Sequence, residues 1–447
     1  MNMSRPLLLS LLRGVLLTLA LLSVAAAQPE RAGLSELRTA ERYHLAGAHS
    51  AAEAHYLQAR EALPDESLLR LAALYNAWGY PQKGLEALEE AASQRGPLPD
   101  EIQPLRLELL AKAGDWETLA VAAQAYLESD PTFQTAWAYL AQAQLRLQRC
   151  EAAQATAQRW YHNMPEDEAA RRVWGVLALA DAPSEAHTVL CKADKTLCAR
   201  LAACADPAAC DVEAGLAALR WDRAGLAACA LARAVEANPT SGKAQAWLGA
   251  TLEKIDRATE ALAHLNRATA LNPTSPLGWA LLGRYQLERG NYAAAREALL
   301  TAHHLDPQNP ALCLEMAAAL AGESRYEALK PWIEAALERA NEDPAIYKAA
   351  ARFYLTRNLT HPPYPLEAAQ DATTLAPEDA EAQMLLGWSL LQAGEPQAAL
   401  EKLNRAVMLD PRLAQAHHLR GLALQALGRT EEAEAAFVQA IDLGYRG

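Results

Sequence analysis

Prolines set the period of this chain. Pro97, Pro131 and Pro165 stand 34 residues apart, as do Pro239, Pro273 and Pro307, and again Pro377 and Pro411, with Pro64 a step of 33 before the first. The two wide steps, 74 residues from Pro165 to Pro239 and 70 from Pro307 to Pro377, are two periods plus a few residues, so each hides one repeat without its proline. A proline cannot continue a helix, so prolines at a fixed interval mark fixed stopping points. A unit of this length is a pair of helices that cannot bury its apolar face alone and must stack on its neighbours. A row of helical hairpins, rather than one globular core, is the expected architecture.

Pro276–Asn309 shows the unit in full. Trp279, Leu282, Gly283 and Leu287 share one face of a first helix, Gly290-Asn291-Tyr292 makes a turn, and Ala295, Leu299 and Ala302 line a second helix that stops at Asp306-Pro307. Gly283 and Ala295 allow the two helices to approach closely, and Ala302 leaves room for the next hairpin. This order of bulky, small and stopping residues resembles the tetratricopeptide repeat family, with Tyr285 one residue ahead of the position the family gives to tyrosine. The resemblance implies an all-α solenoid of helical hairpins wound into a right-handed superhelix.

In that frame about twelve hairpins can be placed. Residues 28–190 carry repeats one to five, and residues 211–447 carry repeats six to twelve. Between them lies a cysteine-rich stretch, 191–210, where the pattern is lost. His361-Pro362-Pro363-Tyr364-Pro365 interrupts the tenth repeat, where a longer loop is expected. The last helix, with Ala433, Phe437 and Ala440, ends almost at the end of the sequence with no polar cap to follow. An uncapped edge of this kind offers a surface for self-association or for joining a larger complex.

The first residues read as a targeting segment. Arg5 and Arg13 precede an apolar run from Val15 to Val24, and Ala25-Ala26-Ala27 before Gln28 has the small-residue cleavage pattern, so residues 1–27 are expected to be a signal peptide. The run is short for a spanning helix, although an uncleaved anchor is the rival reading. No later run is apolar enough to span a bilayer, so an exported, periplasmic or extracellular protein is expected. A hydrophobic share of 51% supports a large buried core, and a net charge of -13 argues against a surface for nucleic acid or anionic lipid.

Of the seven cysteines, Cys191, Cys198, Cys204 and Cys210 crowd into the degenerate stretch. In an exported chain such clustering favours disulfides, with Cys191 to Cys198 and Cys204 to Cys210 the expected pairs, the second closing across the Asp206-Pro207 turn. A metal site is not expected, because no Cys-x-x-Cys pair occurs and His187 is the only histidine among them. Cys313 falls on a core position of its repeat. The other histidines, including His303-His304 and His417-His418, are read as solvent-exposed or capping. No nucleophile elbow, phosphate-cradling loop or dinucleotide fingerprint is present, so neither an enzyme nor a cofactor is expected.

What the resemblance implies instead is surface. First helices of the family line a groove that holds an extended peptide or a partner helix. Carried over position by position, Gln142, Arg146, Arg284, Met384, Trp388, Gln392, His418 and Gln425 face that groove. Trp388, beside Gly387 and not needed by the hairpin pattern, is the candidate aromatic anchor. The expected function is a protein-binding scaffold of the cell envelope. The alternative is a structural part of an envelope secretion or polysaccharide-export complex, joined through the bare C-terminal edge.

Overall fold

A computed structural model describes residues 32–45, 48–204, 206–357 and 364–445, and among them only helices and turns occur. The expected signal segment and most of the proline loop, 358–363, lie outside the described residues. In chain order the first helices are α1 (32–45), α2 (His49–Ala59), α3 (Pro64–Trp78), α4 (Pro81–Arg95) and α5 (Gln103–Ala113). Then come α6 (Trp116–Ser129), α7 (Gln134–Arg146), α8 (Cys150–Asn163), α9 (Glu168–Leu177), α10 (Pro183–Ala193), α11 (Lys195–Ala202), α12 (Pro207–Arg220) and α13 (Ala224–Ala237). The regular series continues through α14 (Gly242–Glu253), α15 (Ala258–Leu271), α16 (Pro276–Glu288), α17 (Tyr292–Leu305), α18 (Pro310–Gly322) and α19 (Lys330–Glu338). It closes with α20 (Pro344–Thr356), α21 (Tyr364–Leu375), α22 (Ala380–Gln392), α23 (Pro396–Leu409), α24 (Ala414–Ala426) and α25 (Thr430–Asp442).

The chain divides into two compact units, one of residues 1–114 with 431–447 and one of residues 115–430. The larger unit is a stack of hairpins, and three local devices explain why these sequences build it. The first is a close helix crossing. A Cβ on Gly283 would lie 2.6 Å from Leu299 Cγ, and Gly249 with Leu265 and Gly387 with Leu403 repeat that contact at 2.7 and 2.6 Å. The second is the turn. Gly290 adopts φ 73°, and Asp256 and Ser324, 34 residues to either side, adopt φ 64° and 59°, so the hairpin demands the left-handed turn even where no glycine is supplied.

The third device gives the proline ladder its partner. The carbonyl of the turn proline accepts a hydrogen bond from the side chain six residues on: Trp137 Nε1 to Pro131 at 2.9 Å, Gln245 Nε2 to Pro239 at 3.1 Å, Trp279 Nε1 to Pro273 at 3.0 Å and Gln383 Nε2 to Pro377 at 2.9 Å. His417 Nε2 completes the series against Pro411 O at 3.0 Å, which requires the tautomer with hydrogen on Nε2. Indole, amide and imidazole are interchangeable here because each carries an N–H at the right reach. His417 is therefore buried rather than solvent-exposed as expected, and burial pushes its pKa down against the pull of the Pro411 carbonyl. Pro64 does not belong to this series; it is the first residue of α3, where its fixed φ suits a helix start.

The regular stack breaks at the fifth repeat. Helices α9 and α10 form its hairpin, and the short α11 is added before α12. The next second helix, α13, is consequently buried on nearly every side and packs on α7 and α9 as well as on its own hairpin partner α12. Gly225 makes this approach feasible, since a Cβ there would lie 2.9 Å from the backbone carbon and oxygen of Leu145. A disulfide between Cys150, the first residue of α8, and Cys229 pins α13 in place. Arg233 finishes the join: its guanidinium donates to Leu177 O and Val176 O, both at 2.7 Å, and to Asp211 Oδ1 at 2.6 Å. Two end carbonyls of α9 are thus satisfied by a cation from another hairpin.

A second disulfide joins Cys191 on α10 to Cys198 on α11. The expected bond between Cys204 and Cys210 is absent, and both are free thiols. Asp206 caps α12 by accepting from Ala209 N at 2.8 Å, and the two neighbouring thiols each also donate to an α11 carbonyl, Cys204 Sγ to Arg200 O at 3.4 Å and Cys210 Sγ to Leu201 O at 3.9 Å. Burial and the neighbouring Cys210 push the Cys204 thiol up to about 12.

The expected bare edge at the C-terminus is covered only in part: Val438 and Ile441 stay about half exposed, while other residues of the last helix are taken up. In the smaller unit Ala433, Ala436 and Ala440 of α25 are buried. Asp442 Oδ1 accepts from His49 N at 3.1 Å, and Ile441 O accepts from Trp78 Nε1 at 3.1 Å. The chain's own α2 and α3 therefore cover the end of α25.

Candidate partner-binding face

Within the larger unit the first helices α12, α14, α16, α18, α20, α22 and α24 pack one against the next, forming a continuous row. Ion pairs join several neighbouring helices of this row. Arg284 of α16 donates from Nε to Glu315 of α18 at 2.8 Å. Lys348 of α20 reaches Asp379 at 2.6 Å and Glu381 at 3.1 Å, and Arg352 pairs with the same Glu381. Lys243 of α14 and Arg200 share Glu213 of α12 at 3.0 and 3.2 Å. The 34-residue period explains the ladder, because like positions of successive hairpins come side by side and opposite charges about 31 residues apart meet.

One place on the row carries surplus negative charge. Glu253 of α14 lies beside Glu288 of α16, and burial together with that second carboxyl holds the Glu253 pKa up at about 7, against the pull of Arg289 and Arg284. Burial likewise raises Glu315, opposed by Arg284. The folded chain therefore keeps a proton on Glu253 that the unfolded chain releases above its ordinary 4.5. The stabilisation from that proton is present at low pH and is lost as pH rises through about 7. Glu253→Gln is expected to raise the unfolding midpoint at pH 8 and leave it nearly unchanged at pH 5, an effect of about 1 kcal/mol once solvent screening is allowed for. Thermal melts at the two pH values check this, and an equal shift at both would show that no proton is shared.

The residues nominated from sequence separate into three groups. Gln142 and Arg146 of α7 line a small cavity closed by Asp222–Leu226 at the start of α13. Arg146 donates to Lys254 O at 3.2 Å and stacks over the Trp116 ring at 5.3 Å, so this part of the row is occupied by the chain itself. Met384 is only 3% exposed and is taken up in packing, a correction to its expected place in the groove. Trp388 and Gln392, one turn apart on α22, and His418 and Gln425 on the adjoining α24 remain at least partly accessible. Burial lowers the pKa of His418. Arg284 is half exposed but engaged with Glu315. Sequence reading missed Glu253, Glu288 and Glu315, whose spacings of 35 and 27 residues do not announce that they share a face.

No helix among the described residues is long and apolar enough to cross a membrane. A family model described as tetratricopeptide repeat matches residues 212–276 and 253–310, and one described as anaphase-promoting complex, cyclosome, subunit 3 matches residues 366–440. No curated protein matches the chain by sequence. Among solved structures, yeast Tom70 is similar at 15% identity over 93% of this chain and 92% of that one, with a TM-score of 0.43. The Cut9 and Hcn1 hetero-tetramer of APC/C gives 14% identity over 86% and 95%, with a TM-score of 0.42. YrrB, described as a TPR protein with an unusual peptide-binding site, gives 19% over 43% and 97%, with a TM-score of 0.33. The matched repeats, the 34-residue period and the recurring glycine-to-leucine crossing all describe one kind of hairpin: the chain belongs to the tetratricopeptide repeat family.

Proposed function

We propose that the chain is an exported protein-binding scaffold of the cell envelope, holding an extended peptide or a partner helix against the row of first helices from α14 to α24. The tetratricopeptide fold supports a protein-interaction scaffold, and repeat proteins of this kind are in general not catalysts. The observation that carries the groove reading is Trp388. It is half-buried on α22, while its neighbour Gly387 makes the helix crossing with Leu403. Gln392 follows one turn later on the same helix, and His418 and Gln425 lie on α24, which packs against α22. A large aromatic surface with polar neighbours is how an interface anchor is built. Export is supported by the targeting pattern of residues 1–27 and by two disulfides, which persist in oxidising compartments.

The test is capture from an envelope extract on immobilised protein, followed by affinity measurement with the captured partner purified. Trp388→Ala, checked to melt like the wild type, is expected to weaken that affinity by about tenfold or more. Unchanged affinity would overturn the groove reading, and a chain found only in the cytosol would overturn export.

A further inference from the structure

We propose that reduction of the Cys191–Cys198 disulfide creates a zinc site completed by His187. His187 and Cys191 are one turn apart on α10 and so share a face. Asp194 caps α11, accepting from Thr196 N and Leu197 N at 2.9 and 3.0 Å, and the turn it fixes brings Cys198 back against α10. His187 Nδ1 lies 3.6 Å from Cys191 Sγ, and one ligand atom from each of the three residues lies within 4.8 Å of the others. In a tetrahedral zinc site, bonds of about 2.3 Å to sulfur and 2.0 Å to nitrogen place ligand atoms about 3.3–3.8 Å apart. Once the sulfurs separate, side-chain rotations are enough to reach that arrangement. All three residues are half-buried, so ion and reductant have access.

The chemistry balances with a protein dithiol as reductant. Its thiolate attacks one sulfur of the disulfide, and its second thiol resolves the mixed disulfide; Cys191 and Cys198 end as thiols and the reductant as a disulfide. Zinc then displaces both thiol protons to solvent and binds two thiolates and the neutral imidazole, with water in the fourth position. The two thiolates neutralise the ion, so no further acid is required. In the oxidised chain only the imidazole remains as a ligand. Affinity for the ion therefore follows the redox state of the bond, independently of any protein partner.

The experiment uses the full chain carrying Cys204→Ser and Cys210→Ser, reduced, freed of reductant without air, and titrated with cobalt as the spectroscopic probe. Expected are a thiolate-to-cobalt charge-transfer band and tetrahedral d–d bands, both abolished by added zinc, and neither seen with oxidised protein. Reduction also opens Cys150–Cys229, so Cys191→Ser is the control that must lose the signal. His187→Ala is expected to weaken cobalt binding by about tenfold or more. A second readout is a rise in the unfolding midpoint of the reduced chain on adding zinc, absent from His187→Ala. The proposal is overturned if reduced protein gives neither the spectrum nor the rise, if Cys191→Ser keeps them, or if His187→Ala binds like the parent.

Discussion

Arg233→Met is expected to destabilise the larger unit by about 3–5 kcal/mol, because it strands a buried charge rather than removing a surface contact. Asp211 is only 8% exposed at its side chain and forms an ion pair with Arg233. The same substitution leaves the carbonyls of Val176 and Leu177 without the donors that close α9. Burial already raises the pKa of Asp211, and Arg233 opposes the rise; without the guanidinium the carboxyl moves further up. A raised carboxyl stabilises the fold while protonated and loses that contribution as pH rises through its folded pKa. The deficit should therefore be larger at pH 8 than at pH 5. Adding Asp211→Asn should recover part of it, since the unpaired carbonyls remain. Denaturant unfolding at the two pH values measures this, and a loss below 1 kcal/mol with no pH dependence would mean water compensates the charge.

The paired change Cys150→Ser with Cys229→Ser comes next in size. The bond closes a loop with a sequence separation of 79, whereas Cys191–Cys198 spans only 7. In the chain-entropy account the long loop contributes about 4.5 kcal/mol and the short one about 2.5 kcal/mol, by restricting the unfolded chain. Non-reducing melts of the two double variants should therefore differ, with the loss of Cys150–Cys229 the more damaging. The reverse order would mean that native-state packing around α11, and not loop closure, governs the difference.

Much of the hairpin architecture could be read from residues because it depends on size at fixed spacing. Gly283, Leu299 and Ala302 announce a close crossing wherever they recur. The proline carbonyl bond was hidden from the same reading, which sorts side chains by bulk: Trp137, Gln245 and His417 differ in size and agree only in carrying an N–H. Cys150–Cys229 was hidden for another reason. Those cysteines meet because α11 adds a helix and redirects α13 onto α7, a consequence of three-dimensional packing that no local pattern states. On the candidate face, Trp388 stood out as a departure from the repeat, while Met384 looked equivalent and proved to be core. The proton shared near Glu253 arises between two hairpins, so neither segment alone predicts it.

The bond between His49 and Asp442, 393 residues apart in sequence, has a consequence for synthesis. Repeat arrays usually consolidate from neighbour to neighbour, so early hairpins can settle while later ones are still being made. Here the smaller unit lacks α25 until all of the larger unit, residues 115–430, has been made. Its first helices must wait through the making of the whole larger unit, with Trp78 and the neighbouring apolar surface uncovered. A stop within α25 would therefore injure α2 and α3, far ahead of it in the chain, as well as α25 itself.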